Sequence, residues 1–124
     1  MRPLRVLAIE DDPDLSYLYQ SFLGSEGYDV LCAHDATEAV EMLRRHPDVV
    51  LLDLMLPDTD GYTLLRHVRA RADTRSTPIV VVSAAVPPGR QRIPGADAVV
   101  RKPFEFDCLL RTIEGVARQA HARG

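Results

Sequence analysis

The sequence predicts an α/β domain: five parallel strands in one sheet, with helices on both faces. Three observations carry this. Short apolar runs alternate with segments whose apolar residues recur at helical spacing, which is the pattern of βα units. The run Val49-Val50-Leu51-Leu52 has no polar member, as a strand covered on both faces requires. Polar residues suited to chemistry follow several strands at their carboxyl ends, the edge where open parallel sheets bind ligands. Crossovers in such a sheet are expected to be right-handed.

Strand one is Arg5-Val6-Leu7-Ala8-Ile9, ending at Glu10-Asp11-Asp12. Pro13 suits the first position of a helix, with Asp12 as its N-cap. Leu15, Leu18, Tyr19, Phe22 and Leu23 share one face of that helix, and Gly24 and Gly27 end it. Tyr28 to Ala33 reads as the second strand. Asp35 and Glu38 form a capping-box-like start to a helix with Ala36, Ala39, Val40 and Leu43 inward, stopped by Pro47. Val49 to Leu52 is the third strand. Asp58 and Asp60 read as turn residues, and Gly61 opens a third helix with Leu64, Leu65 and Val68 inward. Arg66, Arg69 and Arg71 read as its solvated face. Ile79 to Ser83 is a fourth buried strand and Ala98 to Val100 a short fifth. Phe106, Leu109, Leu110, Ile113 and Ala117 place a last helix from about Glu105 to Arg118.

The bulk composition bounds the function. The 124 residues are 46% hydrophobic and 27% charged, which suits one soluble domain with one core. A formal net charge of -3 gives no reason to expect direct DNA binding. No apolar run approaches the roughly 18 residues of a membrane span, and Met1-Arg2-Pro3 shows no signal-peptide pattern. A cytoplasmic protein is expected. Cys32 and Cys108 lack metal-type spacing and read as free, buried thiols. The four histidines are scattered, and none reads as catalytic. No linker leads to a second domain, so residues 1–124 read as one unit without an output module.

Collecting the strand ends gives the chemistry. Glu10 and Asp11 follow strand one, Asp53 ends strand three, Ser83 ends strand four, and Lys102 follows strand five. The fold should gather them on one edge. Two carboxylates about 5 Å apart at an effective dielectric near 20 repel by about 3 kcal/mol, and a divalent cation is the natural relief. An all-oxygen site with few protein ligands suits Mg²⁺. Mg²⁺ also lets a phosphoryl group approach an anionic nucleophile, and a carboxylate can be that nucleophile. Lysine pairs with phosphoryl oxygens as a compact point charge. The chain has 14 Arg and one Lys, so the one lysine stands where arginine does not serve.

Five stretches in order now resemble the receiver domain of two-component response regulators. They are Val6 to Asp12, Leu51 to Pro57 with Asp60-Gly61, Val82-Ser83-Ala84, Gly95-Ala96-Asp97, and Lys102-Pro103-Phe104. The resemblance implies a flavodoxin-like, doubly wound sheet of strand order 2-1-3-4-5. It implies that Asp53 is the phosphoacceptor, Asp11 a direct Mg²⁺ ligand, Glu10 a ligand through water, and the Met55 carbonyl a further ligand. Ser83 matches the switch hydroxyl and Lys102 the phosphoryl-pairing lysine, with a cis Lys102-Pro103 bond. The implied protein is a stand-alone receiver, phosphorylated by a sensor histidine kinase or histidine phosphotransfer protein and signalling to a downstream protein target. Its only catalysis is its own phosphorylation and dephosphorylation.

Two features depart from the family. An aromatic often precedes the lysine by three residues and turns with the switch hydroxyl; here that position is Val99. Between Ser83 and Lys102, the stretch Val86 to Pro94 holds three prolines and a glycine, and interior proline costs a helix about 3 kcal/mol. A shortened or irregular fourth helix is expected, and phosphorylation is expected to order residues 84–94. Two rivals stand beside this reading. A small aspartyl-phosphate phosphohydrolase would want its nucleophile after strand one and a substrate cap. A degenerate receiver acting only as an interaction module would have lost a site residue, and none is lost. A dinucleotide-binding protein is disfavoured because acids, not a glycine-rich turn, follow strand one.

Overall fold

The computed structural model describes residues 2–89 and 92–123. Five strands, β1 (Arg5–Ile9), β2 (Asp29–Ala33), β3 (Val49–Leu52), β4 (Ile79–Ser83) and β5 (Ala98–Arg101), form one sheet in the order β2-β1-β3-β4-β5. Every pairing is parallel. The helices are α1 (Pro13–Ser25), α2 (Ala36–Leu43), α3 (Gly61–Ala70) and α4 (Phe106–Arg123). The expected flavodoxin-like order is therefore the observed one.

Side chains alternate across a strand, so each strand feeds two cores. Leu7, Ile9, Val50, Leu52 and Val81 pack with α2 and α3 through Ala39, Leu43, Leu64, Leu65 and Val68. Val6, Ala8, Val49, Leu51, Val80 and Val82 pack with α1 and α4 through Tyr19, Leu23, Leu109, Ile113 and Val116. All four residues of β3 are buried, as its unbroken apolar run demands. The chain leaves β1 and β3, neighbours in the sheet, toward opposite faces. That divergence opens a crevice at their carboxyl ends.

Several local expectations shift. Helix α1 continues through Gly24 to Ser25, and the chain turns at Gly27, whose φ of 95° suits glycine. Leu18, expected inward, is 46% exposed, since Tyr19 and Leu23 already fill the inner stripe. Cys108 is exposed and Cys32 only half-buried, so neither is a buried thiol. Helix α4 runs to Arg123, beyond the expected Arg118. Arg69 is not simply solvated: its guanidinium donates to the carbonyls of Gly95, Arg75 and Thr77 and to Asp97 at 2.7–2.8 Å. It ties the end of α3 to the turns before β4 and β5.

No helix forms between β4 and β5 among the described residues; Arg90 and Gln91 lie outside them. Prolines there supply no amide donors for a helical ladder. The stretch is nevertheless packed. Val86 and Ile93 are buried with the α2–α3 core, and the Arg101 guanidinium donates to the Pro87 carbonyl at 2.7 Å. The expected ordering of residues 84–94 on phosphorylation concerns a second state, and Arg90 and Gln91 within that span lie outside the described residues.

Gly61 marks the tightest packing near the crevice. Its amide donates to the Leu54 carbonyl at 2.9 Å, and a Cβ here would run into the Leu54 Cα and lie 2.9 Å from the Asp53 carbonyl oxygen. Gly115, inside α4, has open space around the same position. Two opposite outcomes are expected in chemical denaturation. Gly61→Ala should lose about 1–3 kcal/mol through overpacking, whereas Gly115→Ala should gain up to about 1 kcal/mol from helix propensity. A neutral Gly61→Ala would contradict the close approach.

Candidate functional site

The crevice is built from strand ends and the first residues beyond them. The Glu10 amide extends the sheet by donating to the Ala33 carbonyl at 2.9 Å. This carries the Glu10 side chain into the interior, where it is 2% exposed. Asp12 caps α1, accepting from the Asp14 amide at 3.0 Å, while its own amide donates to Glu10 Oε2 at 3.1 Å. Between them Asp11 is held at the surface. The Asp53 amide donates to the Ile9 carbonyl at 3.1 Å, which aligns the end of β3 with the end of β1.

Asp53 was expected at the mouth of the sheet, and it lies deeper, at 6% exposure. Its burial is compensated on both oxygens. Oδ1 accepts from the Met55 amide at 3.0 Å and from Ser83 Oγ at 2.7 Å. Oδ2 accepts from Lys102 Nζ at 2.7 Å. The same ammonium donates to Glu10 Oε1 at 2.6 Å. Ser83 is fully buried, and its oxygen also accepts from the Ala85 amide at 3.1 Å. The Lys102 amide donates to the Ser83 carbonyl at 3.2 Å, and the Lys102–Pro103 bond is cis, as expected. Thus all five predicted side chains meet: Glu10, Asp11 and Asp53 bring carboxylate oxygens within 4.8 Å of one another, and Lys102 and Ser83 bond to Asp53. Met55 joins them through its backbone; its side chain is 60% exposed.

The electrostatics separate the two buried acids. Burial acts to raise Asp53, but the Lys102 ammonium, the Met55 amide and the Ser83 hydroxyl outweigh it and hold the carboxyl below its ordinary value. For Glu10 burial prevails over Lys102 and the Asp12 amide, and its proton affinity is raised. Burial opposes the charge on Lys102, yet its two carboxylate partners keep its pKa above the usual lysine value. Asp53 is therefore an ionised carboxylate at neutral pH with a cation already beside it.

Four residues contribute more to the site than the sequence alone assigns them. Ser16 is buried on α1 and donates to the Glu10 carbonyl at 3.2 Å; a serine in the apolar stripe was its only signal. Asp58 is more than a turn residue. It accepts from the Ala36 and Thr37 amides at 2.9 and 3.2 Å and from the Thr37 hydroxyl at 3.2 Å, joining the loop after β3 to the start of α2. Nothing local in the sequence announces a cap that reaches across 22 residues. Asp60 caps α3 through the Tyr62 amide at 2.8 Å. Tyr19 is the fourth. It is 1% exposed, and burial, with the negative charges of Glu10 and Asp53, holds its hydroxyl protonated by pushing its pKa up.

Removing the ammonium isolates two buried carboxylates. Lys102→Met should cost about 1–3 kcal/mol near neutral pH. The unpaired acids then bind protons more tightly folded than unfolded, so the loss should shrink as pH falls toward about 4–5. Denaturation at the two pH values checks this, and an equal loss at both would contradict it.

Known proteins resemble this chain in sequence and fold. The family described as the response regulator receiver domain matches residues 6–114. The transcriptional regulatory protein TrcR of Mycobacterium tuberculosis is 37% identical over 123 residues, covering 95% of this chain and 47% of that protein. The transcriptional regulatory protein YxdJ of Bacillus subtilis is 35% identical, covering 94% of this chain and 52% of its own length. The chain thus spans about half the length of these curated relatives. The crystal structure of a sensor protein from Polaromonas sp. JS666 superposes with a TM-score of 0.86 at 34% identity, covering 97% of this chain and 99% of that one. The receiver domain of the sensor histidine kinase PA1611 from Pseudomonas aeruginosa superposes at 0.84 with 29% identity, over 93% of this chain and 98% of that one. That structure has a magnesium ion coordinated in its active site cleft. With sequence and fold in agreement, the chain belongs to the response regulator receiver domain family of two-component systems.

Proposed function

We propose that the chain is a phosphoacceptor, taking a phosphoryl group on Asp53 from the phosphohistidine of a sensor histidine kinase or a histidine phosphotransfer protein. The observation that carries this is a buried carboxylate kept ionised by Lys102, the Met55 amide and Ser83. In the transfer, an Asp53 oxygen forms a bond to phosphorus as the phosphorus–nitrogen bond of the donor breaks. The electron pair of that bond stays on the imidazole ring. Lys102 turns its ammonium to the arriving phosphoryl oxygens. The Ser83 hydroxyl, now donating to Asp53, supplies them one hydrogen bond. The phosphorylated form then signals by contact with a downstream protein.

The donor set fits Mg²⁺. Glu10, Asp11 and Asp53 are hard oxygen donors gathered within 4.8 Å. Three carboxylates against one ammonium leave two negative charges in excess, and the exposed side of Asp11 leaves room for metal-bound water. Asp11 and Asp53 would hold the ion directly, Glu10 through water, and Met55 by its carbonyl. When bound, Mg²⁺ supplies the positive charge that lets an anionic phosphoryl group approach an anionic carboxylate. No site residue is lost, which favours this reading over a degenerate interaction module.

Two experiments test it. Incubation with a small phosphodonor and Mg²⁺ should add one phosphoryl mass to the intact protein, absent in Asp53→Ala; an adduct that survives the substitution removes the assignment. In metal titrations, Asp11→Asn should weaken Mg²⁺ binding about tenfold or more, while Met55→Leu, which keeps the backbone, should bind as wild type does. Wild-type titration of Asp11→Asn would move the metal elsewhere.

A further inference from the structure

The usual route out of such a site, a ring turning on β5, is missing: Val99 stands there, half-buried against the α2–α3 core. The nearby stretch between β4 and β5 is anchored by Val86, Ile93 and the Arg101–Pro87 bond. Among the described residues, the ring-to-ring contacts lie on the other face of the sheet. Phe104, two residues beyond Lys102, stacks on Tyr19 of α1 with centroids 6.4 Å apart and planes within 11°. Phe104 also meets Phe106 edge-on at 5.2 Å. Phe106, the first residue of α4, contacts Tyr19 at 6.3 Å and Phe22 at 4.6 Å. Four rings thus join α1 to α4 directly behind the lysine.

We infer that phosphorylation of Asp53 is carried to the α1–α4 layer through Lys102, Phe104 and Tyr19, and not along the inner face of β5. This rests on the phosphoacceptor reading. The physical reason is charge. The ammonium now divides itself between Glu10 and Asp53. A phosphoryl group joins Asp53 as an acyl phosphate and places new anionic oxygens farther out, so the ammonium must leave its present position. The Lys102 backbone is pinned at one side by Ser83, and it continues through Pro103 into Phe104. A packed ring pair is not continuously deformable; it repacks between discrete arrangements. Phe104 therefore converts a small shift of Lys102 into a changed seating of α1 on α4.

The test uses beryllium fluoride with Mg²⁺ as the phosphoryl mimic, with fluorine NMR reporting its binding and hydrogen exchange reporting the response. The wild-type protein should change its exchange severalfold in residues 16–25 and 106–113, and by more than in 84–89 or 92–95. Phe104→Leu should still bind the mimic but lose the change in α1. Tyr19→Phe keeps the stacked ring and should retain it. Binding of the mimic with changes confined to 84–89 and 92–95, or an unaltered α1 response in Phe104→Leu, overturns the inference while leaving the phosphoacceptor reading intact. Failure of the wild type to bind the mimic overturns both.

Discussion

One ammonium shared by two buried carboxylates is the interaction on which the site depends. Lys102 Nζ lies 2.6 Å from Glu10 and 2.7 Å from Asp53. It joins the strand-five end to the ends of strands one and three, across 92 and 49 residues of chain. Without it, two ions would stand desolvated in the interior, a situation proteins tolerate only when such charges are paired. The pairing is also unequal. Asp53 has two further donors and remains readily ionised, while Glu10 is pushed the other way by its burial. One geometry thus yields a readily ionised carboxylate beside a carboxylate of higher proton affinity.

The sheet exists to make that pairing possible. Strand order places β1 and β3 side by side with their helices on opposite faces. Glu10 and Asp53 therefore end up neighbours in a crevice although 43 positions separate them in the numbering. Gly61 lets the loop after β3 lie against Leu54, and Asp58 fastens that loop to α2. The backbone amide of Met55 is thereby fixed on Asp53.

Much of this was legible in the sequence. The apolar run at Val49–Leu52, the acids after Ile9 and the lysine before Pro103 each sit where a short strand ends, and strand periodicity together with βα alternation is enough to gather them. Caps with a local signature, such as Asp12 before Pro13 and Asp35 before Glu38, were also readable, because their partners lie within one turn. What escaped was tertiary. Asp58 caps a helix 22 residues earlier, Arg69 spends its guanidinium on three carbonyls and Asp97, and Leu18 loses the inner face to Tyr19 and Leu23. None of these choices has a sequence pattern of its own, since each is decided by which neighbour arrives first in space. That no regular helix would follow β4, as holds among the described residues, was readable from its prolines. That Val86 and Ile93 would nevertheless be buried was not, because the hydrophobic effect rewards burial without asking for regular structure.

The central claim is that the carboxylate at Asp53, and no other nucleophile, carries the phosphoryl group. An acyl phosphate is cleaved reductively by borohydride, which leaves a homoserine in place of the phosphorylated aspartate. Phosphorylated protein treated in this way and digested should yield one converted peptide, with homoserine at position 53. Conversion at Asp11 or Asp12, or a phosphoryl group that resists borohydride because it sits on a hydroxyl or an imidazole, would contradict the account.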